Sequence, residues 1–110
     1  MYQTGDIVLL PFPFTDLTNR KVRPAIVLSS ELINATNDVV LLAITGNLRG
    51  DDFSFVLSNE HLEAPMRKQS EVRCHKVFTA EQNIIIKKIN ALDPLEFRNL
   101  FNKHVEVLQA

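Results

Sequence analysis

The sequence is short of most features that mark a specialised class. It has a single cysteine, Cys74, so no internal disulfide can brace the fold. No apolar run approaches the ~18 residues a membrane-spanning helix needs, and we expect no membrane partner. No basic and apolar leader ending in small residues opens the chain, which with the lone cysteine leads us to expect a cytoplasmic protein. Asn34-Ala35-Thr36 has the form of a glycosylation acceptor, but that chemistry belongs to secreted proteins. An excess of either charge is also missing. Twelve Lys and Arg face 13 Asp and Glu, for a net charge of −1, which argues against coating nucleic acid by bulk electrostatics. With 3 glycines in all, the chain has no Walker loop and no dinucleotide fingerprint, nor any Gly-x-Ser-x-Gly elbow or zinc-ligand spacing. We expect no metal and no cofactor. There is no internal repeat, low-complexity tract or linker. The 110 residues fit one domain, 1–110, large enough for a single core.

What is present is a series of short apolar runs. Residues 6 to 12 are too short for a stable helix and are bounded by Gly5 and by Pro11 and Pro13, which reads as a strand ending in an edge or bend. Arg23 to Ser29 is a second strand, with Pro24 tolerated only near its start, and Thr15 to Val22 is a polar loop between the two. Val39 to Thr45 is nearly continuous in apolar residues, as in a central strand buried on both faces. Phe53 to Leu57 alternates as a fourth strand. Ser70 to Phe78 alternates more clearly, with Val72, Cys74 and Lys76 on one face and Glu71, Arg73, His75 and Val77 on the other. Ile84 to Ile89 completes the β part, and strands at this spacing predict a small barrel or a strongly bent sheet. Ser58 to Gln69, with His61, reads as a surface loop. Asp93-Pro94-Leu95-Glu96 opens a helix, with an aspartate N-cap, proline at the first position and a staple between Leu92 and Phe97. Phe97, Leu100, Phe101, Val105 and Leu108 then form an apolar stripe expected to pack on the sheet, leaving Lys103 and His104 at the surface.

The basic residues come in clusters: Arg20, Lys21 and Arg23; Arg67 and Lys68; Arg73 and Lys76; Lys87 and Lys88. If the fold gathers the first three, a cationic groove forms on a near-neutral protein; otherwise each is a solvated edge. The stretch Gly5-Asp6 leading into a strand, Arg23-Pro24 opening the next, Ala43-Ile44-Thr45 ending the third, and Val72-Arg73-Cys74-His75 later on together resemble the PemK/MazF-like toxins of bacterial toxin and antitoxin pairs. The resemblance runs over nearly the whole chain. It implies a mainly β fold with a C-terminal α-helix, a small SH3-like β-barrel of the PemK/MazF/CcdB type, usually a homodimer. It also implies a metal-independent endoribonuclease that cuts single-stranded RNA, typically messenger RNA at short preferred sequences, and is silenced by a cognate antitoxin.

That chemistry needs a base for the 2′-hydroxyl, an acid for the leaving 5′-oxygen and cations for the phosphate charge. By match to the family motifs Arg23 is the cation at the scissile phosphate. The planar guanidinium suits that role, and Pro24 restricts Arg23 to extended backbone. Thr45 either caps a strand or offers its hydroxyl to a phosphate oxygen. Arg73 matches a position used in the PemK branch, but the aspartate that follows there in catalysis is His75 here. The first loop, where the family often has a Gly-Ser-Glu or Gly-His-Glu element, reads Leu17-Thr18-Asn19. Both usual sources of a base are therefore missing. We expect His75 to take over proton transfer beside Arg73, with surface pairing to Glu71 as the alternative, and Asn19, Arg20 and Lys21 to face substrate. Cys74 is expected in the core. Phe12 and Phe14 either stack bases or pack the hairpin. The competing function is a dimeric binding module of the same fold without ribonuclease activity, which binds nucleic acid or poisons a protein target such as DNA gyrase.

Overall fold

The computed structural model describes residues 1–12 and 21–109. Among the described residues the strands form one antiparallel six-stranded sheet in the order β4-β5-β3-β2-β1-β6. These are β1 (Asp6–Phe12), β2 (Lys21–Val27), β3 (Asp38–Thr45), β4 (Ser54–Leu57), β5 (Ser70–Glu81) and β6 (Lys87–Ala91). A short helix, α1 (Glu31–Asn34), precedes β3, and α2 (Pro94–Gln109) closes the chain. The expected mainly β fold with a C-terminal helix is found. Boundaries moved where sequence signals were weakest. Ile84 lies in a 3-10 turn (Gln82–Ile84) and β6 starts only at Lys87, while Asn59–His61 forms another turn inside the expected loop.

The sheet curls so that each face buries its own core, as period-2 alternation dictates. One face gathers Ile7, Ile26, Leu28, Leu42, Ile44, Val72 and Cys74 under α2. The other gathers Val8, Leu10, Ala25, Val27, Val39 and Leu41, closed by Ala80 and Ile85 from the far end of β5 and the turn after it. The chain enters β1 through Gly5, whose φ of +89° favours glycine. An added Cβ there would also crowd the Leu92 carbonyl at 3.2 Å. Pro11 is accommodated because β6 pairs only with Asp6 to Leu9 of β1, so the missing N–H falls where that neighbour has ended.

α2 starts as its sequence predicts, with Asp93 Oδ1 accepting the Glu96 N–H at 2.8 Å. The reciprocal half of the capping box is replaced. The Asp93 N–H donates to the His61 carbonyl at 2.9 Å, and Glu96 lies 3.6 Å from the His61 ring instead. His61 thus ties the 3-10 turn to the helix start, its Nδ1 3.2 Å from Asp93.

The helix buries a different stripe from the one expected. Phe97, Leu100, His104 and Val107 face the sheet, a run at helical spacing that includes a histidine. Phe101 is 41% exposed and Leu108 59% exposed, so they belong to a second, outward stripe. His104 is buried, against the expectation of a surface residue, because its Nδ1 lies 2.6 Å from the Cys74 carbonyl and satisfies it. Leu100→Ala should therefore cost about 3 kcal/mol by loss of a filled core position. Phe101→Ala should stay within about 0.5 kcal/mol. Urea denaturation of both variants checks this, and the opposite ranking would put Phe101 back on the core face.

Candidate functional site

The second core runs out at one end of the sheet, and the alternation that fills it delivers polar residues just beyond. On β2, Val27 and Ala25 are buried and Arg23 follows on the same face, exposed. On β3, Val39 and Leu41 lead through Ala43 to Thr45, and on β1, Val8 and Leu10 lead to Phe12. These ends surround a cavity of ≈ 590 Å³ whose walls include Phe12, Arg23, Thr45, Arg49, Arg73 and Lys76. Pairing of β2 with β3 begins at Ala25 opposite Ala43, one residue after Pro24. The proline has no N–H to offer a ladder, so the strands part there and the groove opens. Beyond that last pair, Arg23 and Thr45 line the same cavity. The Thr45 hydroxyl accepts the Asn47 N–H at 3.1 Å, which leaves its proton free to point into the groove.

β5 reaches the groove with two residues of different parity. Its pairing with β3 slips between Val72, opposite Ile44, and Val77, opposite Leu42. Before the slip Val72 and Cys74 enter the core under α2; after it Phe78 and Ala80 enter the other. Arg73 and Lys76 consequently both line the cavity. Sequence alternation had put Lys76 on the face opposite Arg73, and the bulge corrects that. It also separates His75 from Arg73: His75 is not among the groove's lining residues and packs on Phe53, ring centroids 4.4 Å apart. Its Nδ1 is buried with no hydrogen-bond partner among the described residues. Burial, then the cations of Arg73 and Lys76, push the His75 imidazole below its ordinary pKa. Glu71 does not pair with it.

Arg73 is engaged elsewhere. Its guanidinium meets Asp51 through two bonds of 3.0 and 2.9 Å and Ser54 Oγ at 3.0 Å, and lies 3.5 Å from Glu71. Glu71 is wholly buried and accepts the Arg49 N–H. Burial alone would raise the Glu71 pKa, but hydrogen bonds from Ser54 and the Arg49 N–H, with the Arg73 charge, hold it below the usual range. Hydrogen bonding to Arg73 holds Asp51 far below its ordinary value, and Arg73 is raised in turn, first by that bond. The network pins the loop after β3 to β5 and so places Arg49. Among the described residues the other Arg or Lys ion pairs belong to Lys88. Arg23, Arg49, Lys68 and Lys76 have none.

Lys21 is exposed at the start of β2, opposite Phe12; Asn19 and Arg20, with Phe14, lie outside the described residues. Cys74 is fully buried, and burial raises its thiol to about 11, as suits a core residue. Phe12 packs edge-on against Phe78 at 5.0 Å. The described residues contain no group of three or more His, Cys, Asp or Glu placed to hold a metal ion, and no helix long and apolar enough to cross a membrane.

The profile of the PemK-like, MazF-like toxins of type II toxin-antitoxin systems matches residues 3–108. The chain belongs to that family. No curated protein sequence matches it. Among solved structures, a MazE-MazF complex from Deinococcus radiodurans superposes with a TM-score of 0.78 at 16% identity, covering 98% of this chain and 96% of that one. A mycobacterial endoribonuclease in complex with its cognate antitoxin gives 0.77 at 15% identity, over 97% and 93% of the two chains. A MazF from Deinococcus radiodurans gives 0.75 at 20% identity, over 99% and 97%. At such identities these likenesses establish the shared fold.

Within this PemK-like, MazF-like fold, sequence reasoning missed Arg49 and the carboxylates of Asp51 and Glu71. The signal available was Glu71 alternating in step with Arg73. Glu71→Leu should cost about 2 kcal/mol at pH 7, since it leaves the Arg49 N–H and part of the buried Arg73 guanidinium without their acceptor. Glu71 and Asp51 both have folded pKa values below their unfolded ones. Their contribution is therefore complete above the ordinary carboxylate range near ~4 and is lost as pH falls through the folded values. Urea midpoints followed into acid should show the wild-type advantage persisting below pH ~4 and then closing; closure already near pH ~5 would contradict the depressed values.

Proposed function

We propose that the chain is a toxin endoribonuclease that cuts single-stranded RNA in the cytoplasm without a metal and is silenced by a cognate antitoxin. The observation that carries the reading is Arg23, an arginine without an ion pair among the described residues, which lines the same cavity as Thr45 where β2 and β3 part. Family membership supports it. In the reaction the 2′-oxygen attacks phosphorus as the bond to the 5′-oxygen breaks. The 2′-hydroxyl loses its proton to a base and the 5′-oxygen takes one up, leaving a 2′,3′-cyclic phosphate and a 5′-hydroxyl. Arg23 neutralises the non-bridging oxygens through paired N–H bonds and Thr45 donates another. Arg73, already bound to Asp51 and Glu71, positions the loop that carries Arg49. Lys21, with Asn19 and Arg20 before it, faces the substrate.

An antitoxin partner and a homodimer belong to the same reading. Relatives of this fold are found in complexes with antitoxins, and the outward stripe of α2, with Phe101 and Leu108 exposed, offers apolar surface for a partner to cover.

One observation favours the competing reading, a binding module without catalysis. The described lining of the groove holds no carboxylate or imidazole, and His75, proposed for proton transfer from sequence, stands on Phe53 outside it.

Incubation with a long single-stranded RNA in EDTA separates the two. We expect fragments ending in 2′,3′-cyclic phosphate, and Arg23→Ala should reduce the rate by about 10²–10³-fold, the usual cost of one preorganised charge-stabilising donor. His75→Ala in parallel tests proton transfer. Intact RNA from folded wild-type protein over a broad pH range would establish the binding module instead.

A further inference from the structure

We propose that His75 is a positioning residue that works through its ring, holding the turn Asp51–Ser54 in place from outside the groove and so setting where Arg73 and Arg49 stand. The inference rests on the reading of the groove as an RNA site. His75 falls where β5 slips. Pairing of β5 with β3 stops at Val72 and resumes at Val77, and pairing with β4 ends at Arg73 opposite Ser54. Neither ladder therefore fixes residues 74–76. What His75 meets instead is Phe53, with ring centroids 4.4 Å apart and planes inclined by 37°, close enough for an attractive aromatic pair. Beside it the Cys74 N–H donates to the Phe53 carbonyl at 2.9 Å, so ring and backbone grip the same residue.

Phe53 passes this constraint on. Its N–H donates to Asp51 Oδ1 at 3.0 Å, and the Ser54 hydroxyl donates to the same oxygen at 2.9 Å. The carboxylate so oriented takes two bonds from Arg73. Arg73 in turn anchors Glu71, which holds the Arg49 N–H. Arg73 and Arg49 line the groove, whereas His75 and Phe53 do not. The imidazole is also poorly placed to carry protons. Its Nδ1 is buried without a hydrogen-bond partner among the described residues. A proton added there would make a charged N–H with no acceptor, repelled by Arg73 and Lys76. Ring shape and not basicity is what this position supplies.

Amide hydrogen exchange and RNA cleavage, run on wild type, His75→Phe, His75→Ala and Phe53→Ala, test the proposal. Phe53 is 40% exposed, so its truncation should leave the fold intact. Both alanine variants should speed exchange of the Arg49, Phe53 and Cys74 amides by about five-fold, the contribution of one aromatic pair. The Leu28 amide, bonded to the Val40 carbonyl at 2.8 Å, should stay at the wild-type rate. On single-stranded RNA the same two variants should raise KM with kcat little changed, as loss of a uniform contact does. His75→Phe should restore both readouts, and its pH profile should superimpose on that of wild type. Loss of kcat in His75→Phe with the loop amides at wild-type rates would return proton transfer to His75 and overturn the proposal. Loop amides indifferent to Phe53→Ala would overturn it as well. Wild-type protein that neither binds nor cleaves RNA would overturn the RNA reading by itself, since the exchange rates report on the stack without RNA.

Discussion

The slip of β5 past β3 sets both the groove and the seat of the C-terminal helix. Five residues of β5 pass while β3 advances by two, between the pairs Val72 with Ile44 and Val77 with Leu42. A strand in unbroken register would keep Val72 and Phe78 on one face, whereas here they enter opposite cores. The switch lets one strand wall both cores of a curled sheet, and it brings Arg73 and Lys76 to the same cavity. Its cost is backbone left out of the β3 ladder. The Cys74 carbonyl is met by His104 from α2 and the Cys74 N–H by the Phe53 carbonyl at 2.9 Å, so helix and loop close what the bulge opens.

Electrostatics follow from the same strand. A near-neutral protein makes a cationic groove by spending its acids selectively. Arg73, the most buried cation of the site, is occupied by Asp51 and Glu71 and acts as a fastener for the loop after β3. The exposed cations around it keep their charge for a ligand. Net charge predicts none of this, because the groove's field depends on which carboxylates are already bonded.

Local chemistry was legible in the sequence where it acts within a few residues. Arg23 before Pro24, the strand end at Thr45, the Asp93 cap and the apolar run of β3 all emerge where expected. What could not be read depends on pairings between distant segments. Alternation along Ser70 to Phe78 gives no sign of a bulge, so Lys76 was set on the wrong face and His75 beside Arg73. His104 looks like a surface residue until the carbonyl it satisfies, thirty positions earlier, is known. Glu71 looks exposed for the same reason, since its burial depends on donors from the loop after β3. β6 began late because Ile84 to Ile86 are as apolar as a strand, yet part of that run turns before pairing.

The division of the groove's cations also bears on what each can do for a reaction. A contact equally strong before and during bond breaking tightens binding without raising the rate of the bound complex. Under the proposed function, Arg23 and Thr45 would act where charge redistributes as the 2′-oxygen attacks, and an arginine fixed before proline loses little in reorganising toward it. Charge stabilisation of this kind still requires a proton to leave the 2′-hydroxyl. The described lining supplies cations, a hydroxyl and amides but no group with the ordinary basicity of a carboxylate or imidazole, and the imidazole nearest in sequence is turned onto Phe53. Under the proposed function, cutting as opposed to binding turns on proton transfer, since Arg23 and Thr45 would hold a phosphate in either case.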